Sequence, residues 1–344
     1  PWQTERNEIP AWLIHAGICR EEFRRKILFH NQEQKMTVGK KRKKRKSSMR
    51  LLKKNWICYL FVLPMLIYVL IFSYLPMYGI QLAFKDYRVS DGIWGSAWVG
   101  LKHFKTFFDS YQFKDLLWNT LSLSIYSLIA GFPMPIIFAL FLNYITDVKL
   151  KKTAQMITYA PHFISTVVYC GMILIFLSSD GVVNQILMRL GMDPVNFLSN
   201  PSNFRHIYVW SGVLQNIGWG SIMYISVLTS VGPELHEAAT VDGATRFQRL
   251  WYIDVPSIVP TMVIMLIMRA GEIMDLGFEK AFLLQNSINL DYSEIIATYV
   301  YKIGIQGGQF SYSSAIGLFN NIINLILLVV VNKVAGKVSD ISLW

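Results

Sequence analysis

Three sets of residues in this 344-residue chain have types and spacings suited to recognition, and none of them is a covalent apparatus. The first is Glu237-Ala238-Ala239, then Asp242-Gly243-Ala244, then after Thr245 to Tyr252 the run Ile253-Asp254-Val255-Pro256. Two alanines give a flat surface that another protein can approach closely, Glu237 puts one charge at its edge, and Gly243 permits a sharp turn. The second set is Arg269, Glu272, Asp275 and Glu279, ionisable residues that follow a charge-free run from Val255 to Met268. The third is Gln215, Asn216 and Trp219, which with Gly212 make one helical stripe. Amides bond hydroxyl groups and an indole covers the apolar face of a ring, so this mixture suits a hydroxylated ring compound.

Each set also has a plainer reading. Arg269 and Glu272, three apart, can neutralise each other and brace neighbouring helices. Gln215 and Asn216 can bond between helices, with Gly212, Gly218 and Gly220 allowing close approach. The segment around Glu237 can be an amphipathic connector. His162, beside Pro161, is a candidate proton relay but reads better as a packing or hydrogen-bonding residue, and it stands outside the candidate site.

Several chemistries are excluded. The chain has no Gly-x-x-x-x-Gly-Lys-Ser/Thr loop, Gly-x-Ser-x-Gly elbow, His-Glu-x-x-His pair or Gly-rich dinucleotide fingerprint, so no catalytic residue is assigned and no enzyme is expected. Three cysteines, Cys19, Cys58 and Cys170, support neither a disulfide framework nor a zinc site, and no metal ligand set is assigned. A nucleic-acid partner is excluded by where the charge lies. The net charge of +11 is concentrated in residues 40–54, which hold ten Lys/Arg and no Asp/Glu, while residues 55–344 balance at 17 and 17.

The elements that position these residues follow from hydropathy. Only 16% of residues are charged, 53% are hydrophobic and mean hydropathy is +0.36, values that call for lipid rather than water as solvent. Charge-free stretches cover residues 55–84, 116–146, 153–179, 206–233 and 303–332, each longer than the roughly 20 residues a helix needs to cross a bilayer. A sixth span is predicted from Val255, continuing helically through Arg269, Glu272 and Asp275 with one charged face. The expectation is an all-α polytopic membrane protein of six transmembrane helices. Lys and Arg in the connecting segments number 17 on one side and nine on the other, which places both termini in the cytoplasm.

Residues 1–54 read as a cytoplasmic tail and residues 55–344 as a transmembrane domain. Residues 1–35 precede Met36, which reads as the natural start, making 1–35 upstream or non-native sequence, with a genuine cytoplasmic extension as the alternative; residues 40–54 form a basic stop beside the first span. The polar loop 234–256 reads as a helix from about Pro233 to Val241, a break at Gly243, and a second helix from about Thr245 to Ile253, with Pro256 opening the next span.

This loop resembles the EAA loop of permease subunits of ATP-binding-cassette importers. Glu237, Ala238, Ala239, Gly243, Ile253 and Pro256 fall in register with that pattern, and Val255 replaces its Leu. Asp242-Gly243-Ala244-Thr245, Phe247, Val255 to Pro260 and Ala315 to Phe319 are similar to carbohydrate-uptake permeases of the maltose-transporter type. Gly277-Phe278-Glu279 and Tyr299 to Lys302 resemble the branch that imports oligosaccharides and polysaccharide fragments.

The resemblance covers roughly residues 50–344 and implies a type I ABC importer-like fold with cytoplasmic coupling helices. It implies ATPase coupling through Glu237, Ala238, Ala239, Asp242, Gly243, Ala244 and Pro256. A substrate path is read along Gln215, Asn216, Trp219, Arg269, Glu272, Asp275 and Glu279. Implied partners are a homologous second permease, two ATPase subunits that bind the ATP and Mg this chain does not, an extracellular binding protein, an oligosaccharide and membrane lipid. The location implied is the bacterial cell membrane. Two other classes stand beside this one: an ion-coupled secondary sugar transporter, and a membrane sensor or scaffold that recruits a cytoplasmic partner.

Overall fold

A computed structural model of the chain describes residues 55–339. The tail expected over residues 1–54, with its separate readings of 1–35 and 40–54, lies outside the described residues. The chain divides into two compact units after Met77.

In the first unit, α1 (Trp56–Val69) runs into a π-helical turn at Leu70–Tyr74. None of the α1 side chains is buried and Phe61 is 81% exposed. A helix apolar on every side is solvated by lipid or by other protein. With the 3-10 segment Leu75–Phe84, it belongs to a candidate span of 29 residues.

The second unit opens with two-residue strands, β1 (Lys85–Asp86) and β2 (Ala97–Trp98), paired antiparallel; among the described residues they alone depart from an all-helical fold. Then come α2 (Lys102–Phe108), α3 (Gln112–Gly131), α4 (Pro133–Asn143), α5 (Val148–Tyr159), α6 (Thr166–Phe176), α7 (Val182–Arg189) and α8 (Asn203–Ser230). They are followed by α9 (Pro233–Val241), α10 (Arg246–Arg249), α11 (Val255–Gly271), α12 (Phe278–Leu284), α13 (Ile296–Tyr301) and α14 (Phe310–Ser339).

Six spans were expected. Among the described residues four helical segments are long and apolar enough to cross a membrane, Trp56–Phe84, Gln112–Asn143, Arg246–Gly271 and Phe310–Lys337, or five if a bent pair counts as one. The remaining expected span, the charge-free run 206–233, is α8. Its 28 residues reach about 42 Å, ample for a bilayer, but its amides, serines and glycines lower its hydropathy. It fails on composition, not on length.

The third expected span is not one straight helix. Val148–Phe163 and Thr166–Phe176 meet at 104°. Pro161 has no N–H to continue the ladder, Ile164 is extended, and the extended Ser165 caps α6 by accepting from the Val168 N–H. The fifth span also differs. It was expected to run through Glu272 and Asp275, but α11 ends at Gly271. Glu272 leaves helical geometry at φ −111, the Asp275 N–H turns back to the Glu272 carbonyl at 2.9 Å, and Asn324 on α14 accepts the Met274 N–H at 2.9 Å. At its start the span reaches back to Arg246: α10 passes through a π turn at Leu250–Asp254 directly into α11, so Pro256, the second residue of α11, lies at the junction of the π turn with the α-helix rather than at the start of the span.

The long helix α8 organises the core. Its Phe204, Tyr208, Val209 and Val213 pack with Leu123 of α3, Cys170 of α6 and Ala281 and Leu284 of α12. Further along, Tyr224 and Leu228 pack with Ile136 and Ala139 of α4 and Ile258 of α11. Small residues let α8 come this close to its neighbours. A Cβ at Gly218 would collide with the Thr158 carbonyl on α5, and one at Gly220 would lie 3.0 Å from Pro135 on α4.

Candidate functional site

The candidate substrate-path residues are brought together by three elements. α8 supplies Gln215 and Asn216, the end of α11 supplies Arg269, and the turn from α11 together with the start of α12 supplies Glu272, Asp275 and Glu279; all six line one cavity of about 590 Å³. That volume is in the range of small-ligand sites. Trp219, the seventh, is not among the lining residues.

The Arg269–Glu272 ion pair of the plainer reading is not formed among the described residues, because the helix ends between the two. Both side chains are exposed, as are Asp275 and Glu279. Lys280 also reaches this wall but is buried and committed: its Nζ donates to the Tyr208 carbonyl at 2.8 Å and lies 4.8 Å from the Tyr208 ring centre. On the opposite wall, Ser124 and Ser127 of α3 line the cavity with buried hydroxyl oxygens that have no hydrogen-bond partner among the described residues. The sequence reading missed these serines, and a hydroxyl inside an apolar run gives no signal of which way it faces.

The amides do both things the sequence allowed. Gln215 Nε2 donates to the Ile164 carbonyl at 3.4 Å, bracing the break between α5 and α6, while the same residue lines the cavity. Asn216 Nδ2 donates to the Gly212 carbonyl at 3.0 Å and its Oδ1 faces His162 Nδ1 at 3.0 Å. Oδ1 can only accept, so His162 carries its proton on Nδ1 in this contact. His162 also stacks on Trp219, with ring centres 4.5 Å apart and planes 6° from parallel, and Phe163 meets the indole edge-on at 5.7 Å. His162, set aside on sequence, is thus the link between the cavity's amide and the Trp219 ring. Its neighbour Pro161, which marks the break, was the available signal.

The second candidate region is the connection between α8 and α11. Helix α9 spans Pro233–Val241, where the sequence placed it. Gly243 adopts φ +80, the Gly243 N–H bonds the Thr240 carbonyl at 3.1 Å and the Ala244 N–H bonds the Ala239 carbonyl at 2.8 Å, a Schellman termination. Thr245 then caps α10 in a reciprocal capping box with Gln248. Glu237, Ala238, Asp242 and Gly243 are exposed, Ala239 and Ala244 are half-buried, and Pro256 is exposed at the start of α11. Leu235, Val241 and Phe247 extend this surface, Val241 at 87% exposure. It is an exposed shelf of small and apolar residues edged by acids.

Asp254 is the other residue the sequence reading passed over, although an acid immediately before a 14-residue apolar run was visible. It is fully buried and accepts a 2.7 Å hydrogen bond from Tyr144 Oη. Burial, and then that bond, push the Tyr144 phenol well above its usual pKa.

Several membrane-length helices, a polar cavity lined from α3, α8, α11 and α12 among others, and an exposed two-helix loop define a multi-pass membrane protein of the transport class. Comparison with known proteins makes the class specific. The family of binding-protein-dependent transport system inner membrane components matches residues 114–339. The polygalacturonan/rhamnogalacturonan transport system permease protein YteP of Bacillus subtilis (strain 168) is 40% identical over 308 residues, covering 89% of this chain and 96% of that protein. Protein LplB of the same organism is 41% identical over 299 residues, covering 87% and 94%. A crystal structure of a bacterial alginate ABC transporter in complex with an alginate pentasaccharide-bound periplasmic protein aligns with TM-score 0.79 at 39% identity, covering 86% of this chain and 99% of that one. The chain belongs to the family of binding-protein-dependent transport system inner membrane components, as the permease, a transport subunit, of an ATP-binding-cassette importer.

Proposed function

We propose that this permease passes oligosaccharides delivered by an extracellular binding protein through the cavity between α3, α8 and the α11–α12 turn. It sits in a bacterial cell membrane with both termini in the cytoplasm. A homologous second permease completes the path, and two ATPase subunits, which bind the ATP and Mg, dock on the α9 loops. The chain itself contributes no covalent chemistry. That relatives are named for transport of polygalacturonan and rhamnogalacturonan and for import of alginate supports a saccharide substrate.

One observation carries the reading. The loop 231–254 directly joins two helices that line the cavity, and Asn216 and Arg269 each lie 14 residues, about 21 Å, from the end of its helix that meets the loop. A displacement of α9 therefore acts on both walls at equal depth. Docking involves Glu237, Ala238, Ala239, Asp242, Gly243 and Ala244, with Pro256 setting the start of α11. In the cavity, Glu272, Asp275 and Glu279 accept hydroxyl hydrogen bonds, Arg269 and the amides of Gln215 and Asn216 donate them, and Trp219 with His162 offers an aromatic face at the cavity's edge.

The test is association and uptake in the assembled transporter. Glu237→Ala combined with Gly243→Val, which a φ of +80 does not accommodate, is expected to abolish both ATPase co-purification and oligosaccharide uptake. Uptake that survives with ATPase association lost would favour the ion-coupled reading. A loop that recruits a cytoplasmic partner in a chain that moves no sugar would favour the sensor or scaffold.

A further inference from the structure

Asp254 occupies a position that the loop pattern leaves open, between Ile253 and Val255, and its side chain has 0% exposure. Its carboxylate ties together elements far apart in sequence. Tyr144 Oη, just past α4, donates to Oδ2 at 2.7 Å, and Asn143 Nδ2, the last residue of α4, donates to Oδ1 at 3.4 Å. From α9, His236 Nε2 lies 3.4 Å from the same Oδ1. Asp254 itself lies in the π turn that leads into α11, where Ser257 Oγ donates to its carbonyl at 2.6 Å.

A buried carboxylate is costly unless its oxygens are matched by donors, and the loss of one partner leaves a buried charge that is incompletely paired. The node therefore favours one relative placement of its members. Helix α9 depends on such polar ties, because it buries none of its own side chains. Two side-chain contacts join it to the segment that becomes α11: His236 with Asp254, and Arg249 Nη1 donating to Thr240 Oγ1 at 2.8 Å. The Asp254 contact continues into the end of α4, where Tyr144 Oη also lies 3.1 Å from the Arg246 carbonyl of α10.

We infer that Asp254 is a positioning residue for energy coupling: it pins α9 to the end of the α3–α4 span as well as to α11, so that movement of α9 is delivered to both spans together. This rests on the reading of α9 as the helix on which the ATPase docks. The loop sequence alone connects α9 to α8 and α11; among the described residues the polar link from His236 on α9 to the end of α4 runs through Asp254, Tyr144 and Asn143, beside a Tyr144 Oη contact with the Arg246 carbonyl at 3.1 Å and the packing of Ile258 with Ile136 and Ala139.

The experiment uses the complete transporter, with both permeases, the ATPase subunits and the binding protein, in proteoliposomes. It measures sugar molecules imported per ATP hydrolysed. Asp254→Asn keeps the shape and removes the charge, and Tyr144→Phe keeps the ring and removes only the donor. Each is expected to lower the ratio by about ten-fold, the order of one coupling free energy, while ATP hydrolysis continues and ATPase subunits still co-purify. The double variant should be no worse than the more severe single one, since both act on the same contact. A wild-type ratio in Tyr144→Phe, or additive losses in the double variant, would overturn the inference. If Asp254→Asn does not reach the membrane, Tyr144→Phe decides alone. A wild-type complex with no ATP-driven uptake at all would instead overturn the underlying transport reading.

Discussion

Glycine 218 shows how far one absent methyl group shapes this protein. Any side chain there would strike the Thr158 carbonyl and the Tyr159 ring, and backbone cannot retreat as a flexible side chain can. Gly171 on α6 has nothing within 4 Å of the position its Cβ would take. The same substitution should then have opposite signs. Gly218→Ala is expected to destabilise by about 1–3 kcal/mol through overpacking, and Gly171→Ala to stabilise by up to about 1 kcal/mol through helix propensity. Thermal unfolding of the detergent-solubilised protein measures both, and equal shifts would contradict the packing described. Gly212 lies between these cases, because its Cβ would approach the Lys280 ammonium, the movable end of a side chain, at 3.1 Å. Asp254 and His162 make a different point. Each has a type the sequence displays openly, yet its role depends on partners more than 50 positions away, Tyr144 for one and Asn216 for the other. No local pattern contains that information.

Helices bounded by strong punctuation were legible, and those bounded by geometry were not. Pro233 and Gly243 flank α9, and its bounds follow from the missing donor of one and the positive φ of the other. The third charge-free run looked uniform because counting charges is blind to a backbone that turns at Ile164 and Ser165 without any change in polarity. The end of α11 was misplaced for the opposite reason: charges three apart fit a helical face, and they fit a tight turn equally well. Gly271 was the signal, and Asn324 on α14 supplies the acceptor that holds the turn. The short α10 depends on its start. Removing the capping box by Thr245→Ala should cost the segment about 1 kcal/mol. Hydrogen exchange at Gln248 and Arg249 is expected to accelerate while α8 is unchanged; unaltered exchange at both would show that packing, not the cap, holds α10.

On the proposed function, these elements couple two distant events. The cavity lies along the middle of α8 and at the far end of α11, the shelf that includes Glu237 and Gly243 joins their near ends, and the Asp254 node ties the end of α4 to the same connection. Composition alone indicated a lipid-solvated chain, and the spacing of six loop residues indicated the family to which residues 114–339 belong. The assembly of the cavity could not be read in advance, because it needs α11 to stop at Gly271 so that Glu272, Asp275 and Glu279 line the same cavity as Gln215 and Asn216. The central claim is that ATP-driven movement at the α9 loop opens this path to sugar. The direct measurement is uptake of a labelled oligosaccharide by proteoliposomes holding the complete transporter, with ATP clamped inside, the binding protein outside, and an uncoupler added. The account predicts accumulation that requires ATP and the binding protein and is unchanged by the uncoupler. Accumulation that collapses on uncoupling while ATP is held constant would contradict it.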